Sequence, residues 1–67
     1  MSDYIRREFI EEVDQEKREL DKLKKRINGT LSRIRPYATG EGSIAIRNVV
    51  DGMNMACEGM EDIKRDL

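Results

Sequence analysis

The 67-residue sequence contains no histidine and no tryptophan, and it has one cysteine and one proline. Without histidine, and with Cys57 as its single thiol, the chain lacks the ordinary ligand sets for zinc, haem and iron–sulfur clusters. The same absence removes the Ser–His and Cys–His couples of nucleophilic catalysis. A lone Cys57 cannot close a disulfide within the chain. We therefore expect a protein that is not an enzyme and that carries no metal or cofactor.

Long apolar runs are also absent, because no stretch approaches the roughly 20 residues that cross a bilayer. The first eight residues lack the apolar core of a secretory signal, and a free thiol is typical of a reducing compartment. The expected location is therefore the cytoplasm, away from membranes. Thirteen basic and fourteen acidic residues give a net charge of −1. DNA or RNA is for that reason not the favoured partner.

One segment, residues 35–43, interrupts an otherwise helical pattern, because it holds the only proline and two glycines. Before it, apolar residues recur every seven positions at Val13, Leu20, Ile27 and Ile34, with Phe9 and Leu23 at the complementary positions. A first helix is predicted over about residues 3–35 and is expected to continue through Asn28-Gly29, a pair that favours turns. After the break, the same pattern predicts a second helix over about 43–66, with Ser43 or Thr39 as its N-cap. Its seam residues are Ile46, Val49, Met53, Ala56, Met60, Ile63 and Leu67.

A short connection between two such helices predicts an all-α fold, an antiparallel helical hairpin that forms a single domain over residues 1–67. Chains below about 70–80 residues bury only a small core, so self-association is the expected source of further stability. If residue i faces residue 78 − i, the residues before Glu11 extend beyond the second helix and expose apolar side chains. The simplest closed assembly is a dimer that forms a four-helix bundle, although higher oligomers also fit. The expected interface residues are Tyr4, Ile5, Phe9, Ile10, Gly52, Met55, Ala56 and Gly59.

The near-zero net charge hides a strong polarity along the chain. Residues 3–21 hold eight acidic and four basic residues, residues 22–35 hold six basic and no acidic ones, and residues 51–67 hold five acidic and two basic ones. Hairpin formation brings the basic segment to the loop end, where a glycine-containing turn leads into a helix N-terminus. This pattern predicts a phosphate or nucleotide site, and an ordinary basic surface that complements the helix dipole is the alternative. The candidate ligand-binding residues are Arg33, Arg35, Tyr37, Thr39, Ser43 and Arg47.

The stretch Ile44-Ala45-Ile46-Arg47, followed by Met55-Ala56 on the second helix of a small hairpin, resembles the phage anti-CBASS sponge proteins. Those proteins are compact helical oligomers that bind cyclic oligonucleotide signals of host immunity between protomers. The likeness covers about 20 residues and implies a ligand-binding role for Arg47 alone. The tyrosine-bearing segment that they place before their first long helix has no clear counterpart here. The resemblance implies a sequestering protein of the host cytosol.

Three functional hypotheses follow from these patterns. The first is a non-enzymatic oligomer that sequesters a phosphorylated, nucleotide-like ligand at the basic loop end. The second is an inhibitor or adaptor that binds a host protein through the apolar helix faces. The third and weakest is nucleic-acid binding through residues 22–35, which requires affinity that falls steeply with salt.

Overall fold

Two long helices that pack against each other make up nearly all of the computed structural model, which describes residues 2–67. Helix α1 spans Asp3–Ile34, a short 3-10 turn spans Arg35–Tyr37, and helix α2 spans Glu41–Asp66. The molecule measures 52 × 17 × 10 Å, the dimensions of a flat two-helix slab. The predicted all-α hairpin is confirmed. None of the helices formed by residues 2–67 is long and apolar enough to cross a membrane.

Helix α1 runs unbroken through Asn28-Gly29, as the heptad pattern predicts. Its start is stabilised by Ser2, whose hydroxyl oxygen accepts a hydrogen bond from the backbone N–H of Ile5 at 3.2 Å. Asp3 in the first turn and Arg33 in the last turn both complement the helix dipole. Ile27 and Leu31 on either side of the glycine are half-buried, and such burial of an apolar face, more than local propensity, stabilises a helix in a protein.

Replacing Gly29 by alanine should stabilise the hairpin by roughly 0.5–1 kcal/mol, because glycine in a helix interior costs about that much relative to alanine. A Cβ atom at this position would lie 4.0 Å from its nearest neighbour, the Nη1 atom of Arg33, which is ordinary contact. Urea denaturation followed by circular dichroism measures the difference. A lower unfolding free energy for Gly29→Ala would contradict a regular helix at this position.

The turn differs from the predicted boundaries by one or two residues. Helix α1 ends at Ile34, and Pro36 continues in a 3-10 turn, since a proline needs no N–H partner in the first turn of a helix. Helix α2 starts at Glu41, and Gly40 takes the N-cap position that we predicted for Ser43 or Thr39. Gly40 has φ 53° and ψ −117°, a backbone conformation that only glycine adopts without strain. This conformation reverses the chain in so few residues that α2 begins early.

The helices pair in the predicted register, in which residue i faces residue 78 − i. Three contacts show it: Lys17 with Glu61 at 3.0 Å, Lys64 with Asp14 at 2.8 Å, and the Cys57 Sγ with Asp21 at 3.5 Å. The first residues of α1 therefore extend beyond the end of α2. Tyr4 and Ile5 are exposed there, as predicted.

The seam between the helices is rotated from the predicted one. With Val13 and Ile46 both at heptad position a, the half-buried residues of each helix fall at a, b and e, apart from Gly59 at g, whereas the d residues lie half-exposed at the edge. Phe9, Leu23, Val49 and Ile63 are 43–51% exposed, so the prediction that the d positions belong to the seam is wrong, whereas most a positions lie in it. Among residues 2–67 only Ile46, at 8% exposure, is buried. Two helices alone enclose almost no interior.

Candidate functional site

The loop end of the hairpin carries a groove of about 400 Å³ that two arginines reach from different elements. Arg35 comes from the 3-10 turn, and Arg47 comes from the second turn of α2. We call this depression the loop groove. Its lining residues are Arg35, Ser43, Ile46, Arg47, Val50 and Asp51. The buried side chain of Ile46 gives the groove an apolar wall.

Hydrogen bonds in the turn hold these lining residues in place. The backbone N–H of Ala38 donates to the carbonyl oxygen of Arg35 at 3.2 Å, which closes the 3-10 turn. The hydroxyl of Ser43 donates to the carbonyl oxygen of Ala38 at 3.3 Å and ties the start of α2 to the turn. Ser43 and Arg47 are four residues apart on α2 and therefore share one face. The arginine side chains, by contrast, extend into solvent.

Three of the six predicted ligand-binding residues line the loop groove: Arg35, Ser43 and Arg47. The other three do not. Arg33 points back along α1, where its Nη2 donates to the hydroxyl of Thr30 at 3.3 Å. Tyr37 is 86% exposed, and Thr39 is also exposed, with its carbonyl oxygen accepting from the N–H of Gly42.

Sequence reasoning missed the remaining lining residues Ile46, Val50 and Asp51 as parts of a site. Their spacing carried a usable signal, because Ile46 and Val50, like Arg47 and Asp51, are four residues apart on α2. Asp51 is a carboxylate in a groove that otherwise carries two positive charges. Among residues 2–67, neither Arg35 nor Arg47 forms an ion pair with it or with any other acid. Both guanidinium groups are thus available to an anion.

A second polar feature, which we call the ladder, crosses between the helices near the open end. Lys17 bridges Glu61 at 3.0 Å and Asp21 at 3.5 Å, and Lys64 bridges Asp14 at 2.8 Å and Glu61 at 3.8 Å. The Cys57 thiol also belongs to the ladder, through its contact with Asp21. Cys57, at position e of α2, is half-buried beside these charges.

Pairing within the ladder shifts the pKa values of its members. The hydrogen bond from Lys64 lowers the pKa of Asp14, with Arg18 adding to the effect, and the hydrogen bond from Lys17 lowers the pKa of Glu61. The same contacts raise the pKa values of Lys17 and Lys64. The charged forms of all four groups are therefore favoured by folding.

These pKa shifts predict that the free energy of unfolding is largest at intermediate pH and falls at both low and high pH. Carboxyls with lowered pKa values stabilise the fold above their unfolded pKa near 4 and lose that contribution as the pH falls through the folded value. Lysines with raised pKa values stabilise it below about 10.4 and lose that contribution as the pH rises through the folded value. Asp14→Asn should flatten the acid side of a plot of unfolding free energy against pH. Glu8→Gln, which removes one exposed charge outside the ladder, is the matched control; an equal flattening in both variants would contradict the assignment.

A groove of about 480 Å³ beside the ladder is a poorer anion site than the loop groove. Its lining residues are Lys17, Cys57, Glu58, Glu61, Asp62 and Arg65, which include three acids. In the part of the chain that the structure describes, no group of three or more acidic or cysteine side chains is arranged to hold a metal ion.

The predicted interface residues form two groups, one at the open end and one along α2, and Met55 belongs to neither. Tyr4, Ile5 and Phe9 extend from the open end, with exposures of 71%, 42% and 45%, whereas Ile10 is half-buried. On α2, Gly52 and Ala56 are exposed and Gly59 is half-buried along one edge. Met55, at 70% exposure, lies apart from them on the outward side of α2.

Comparisons with family models, with curated proteins and with solved structures found no match to this chain.

Proposed function

We propose that this chain is a non-enzymatic, self-associating helical hairpin that binds and sequesters a phosphorylated, nucleotide-like ligand at the loop groove. A cyclic oligonucleotide signal of host defence is the ligand class that the resemblance of residues 44–56 suggests, which would make the protein a phage-type inhibitor in the host cytosol. The observation that carries the proposal is the convergence of Arg35 and Arg47, both without an acidic partner among residues 2–67, on one groove.

Each lining residue has a role in this proposal. The two guanidinium groups neutralise phosphate and donate paired hydrogen bonds to its oxygens. The hydroxyl of Ser43 donates to a third oxygen when it releases the carbonyl of Ala38, and Ile46 and Val50 offer an apolar wall to a base or sugar. Asp51 accepts a hydrogen bond from a base N–H or a ribose hydroxyl. Tyr37, although outside the groove, is exposed beside it and can stack on a base.

Thermal unfolding of the purified protein with added compounds tests this function. Cyclic di- and trinucleotides, linear nucleotides and inorganic phosphate are compared at equal concentration, and a bound ligand raises Tm by mass action. We expect a cyclic or linear nucleotide to raise Tm, and we expect Arg47→Ala to remove most of the rise while Arg33→Ala retains it. If none of the nucleotides raises Tm, nucleotide binding is refuted.

Binding of a host protein is the second candidate function, and the exposed apolar side chains at the open end favour it. Tyr4, Ile5 and Phe9 form an unpaired apolar patch where α1 extends beyond α2. Under this alternative, Phe9→Asp abolishes biological activity, whereas Arg35→Ala and Arg47→Ala do little. The two candidate functions thus predict opposite outcomes for Arg35→Ala and Arg47→Ala.

A further inference from the structure

The hairpin slab has two broad faces of opposite character. One carries the ladder, whose members occupy positions b and e of both helices. Position d lies about 160° around a helix from position b, so the d and g residues of both helices lie on the opposite face. We call this second face the small-residue face. It comprises Ile5, Phe9 and Leu23 of α1 and Ala45, Val49, Gly52, Ala56, Gly59 and Ile63 of α2.

The small-residue face has no partner within the hairpin. Its large members are between 42% and 51% exposed. A Cβ atom added at Gly52 or at Gly59 would meet no atom within 4 Å, so the packing of the hairpin itself does not require either glycine. Each glycine nevertheless costs about 0.5–1 kcal/mol in a helix interior. Close approach of another backbone would explain why two of them stand one heptad apart on this face.

The exposed area of the chain indicates how large the missing partner surface is. A compact monomer of 7.8 kDa exposes roughly 4,400 Å² by the general scaling of surface with mass, whereas this chain exposes 5464 Å². The excess of about 1,000 Å² is close to the roughly 800 Å² that each partner contributes to a stable interface of standard size. One further protein surface of the same dimensions would therefore suffice.

The d and g positions of α1 also hold charged residues, and these select the orientation of a second copy. Glu12, Glu16 and Glu19 lie at d and g positions in the open half of α1, and Arg26 and Arg33 lie at g positions in the loop half. An antiparallel arrangement of two copies places the acidic half of one over the basic half of the other. A parallel arrangement, with both loops at one end, would place α1 of one copy over α2 of the other, whose d and g positions hold no basic residue to pair with these acids.

We propose that two copies of this chain pack their small-residue faces together in an antiparallel four-helix bundle, which places the two loop grooves at opposite ends. The occupant of the face is thus a second copy, and the proposal rests on the self-association stated under the proposed function. In this bundle, α2 packs on its own counterpart through glycine and alanine, and each loop groove remains open to ligand. Binding at one groove is then independent of the other.

Light scattering and native mass spectrometry test which face is covered. We expect a dimer for the wild-type protein and a shift to monomer for Ala56→Asp, because a carboxylate would be buried in the small-residue face. Met55→Asp makes the same substitution at the adjacent residue, on the outward side of α2, and should remain dimeric. A dimeric Ala56→Asp, or equal dissociation of both variants, would overturn the assignment of the face.

A distance measurement tests the orientation without any disruptive variant. Cys57→Ser, in which a hydroxyl can keep the hydrogen bond to Asp21, removes the natural thiol, and Thr39→Cys then supplies one labelling site at the exposed turn. Pulsed electron paramagnetic resonance between two spin labels should give a distance near the 52 Å length of the hairpin. A distance of about 25 Å or less, expected from neighbouring helix axes about 10 Å apart, would overturn the antiparallel arrangement.

The outcomes separate this inference from the proposed function. A dimer with a short distance refutes the antiparallel bundle and leaves self-association standing. A monomer at high protein concentration refutes both the antiparallel bundle and self-association. Ligand binding is tested separately, by the nucleotide-induced rise in Tm. Dimer, long distance and selective dissociation by Ala56→Asp together support the proposal.

Discussion

Replacing Arg35 and Arg47 together by glutamate should weaken nucleotide binding by at least about 100-fold. A hydrogen bond to a charged group contributes roughly 1.5–3 kcal/mol, and every 1.4 kcal/mol corresponds to a factor of ten in Kd. The double variant loses both such contacts and adds repulsion between its carboxylates and the phosphate. Its helical content should stay unchanged, because both side chains are exposed and form no ion pair within residues 2–67.

The matched control for this prediction reverses two other basic residues of the segment 22–35. Lys22 and Lys25 are exposed on α1 outside the loop groove, and their replacement by glutamate changes the net charge by the same amount. Isothermal titration calorimetry at two salt concentrations compares the two double variants. Retained binding in the lysine variant indicates a defined site. Equal loss in both would instead indicate a diffuse basic surface, as the nucleic-acid hypothesis requires.

Replacing Ile46 by alanine should lower the free energy of unfolding by about 2–4 kcal/mol. Ile46 is the only buried residue among residues 2–67, at 8% exposure, so its contacts make up a large share of the packing between the helices. For a chain of this size, a loss of that magnitude lowers Tm by roughly 15–30 °C. The measurement is thermal unfolding at one fixed protein concentration, because self-association would make Tm depend on concentration.

Ile44 provides the control for this second prediction. It is the same residue type on the same turn of α2, but it is 62% exposed. Ile44→Ala should change the free energy of unfolding by no more than about 0.5 kcal/mol. Similar losses in the two variants would contradict the burial of Ile46, and they would place the packing centre of the hairpin elsewhere.

At the loop groove, the sequence pattern predicted some of the lining residues and not others. The clustering of arginine and glycine near residues 33–47 predicted an anion site at the loop end, and Arg35 and Arg47 line a groove there. The clustering could not separate Arg35, which lines the groove, from Arg33, which turns back toward Thr30. Residues two apart on the last turn of a helix point in different directions, and the exact end of α1 decides which of them faces α2. The end of α1 depends on Pro36 and Gly40, because these residues form the turn that brings the chain back along α1.

By itself, the sequence determined two helices, an unbroken α1, a reversal near Pro36 and the register in which residue i faces residue 78 − i. These features follow from local propensity and from the lengths of the two segments on either side of one short turn. Only the tertiary structure decided that each helix turns positions a, b and e toward its partner and leaves d and g at the edge. A heptad pattern shows which positions are apolar, but it does not show whether the other helix of the hairpin or a second copy packs on them. The a/d stripe predicted as one seam therefore belongs to two surfaces, and the structure of the hairpin assigns only the first.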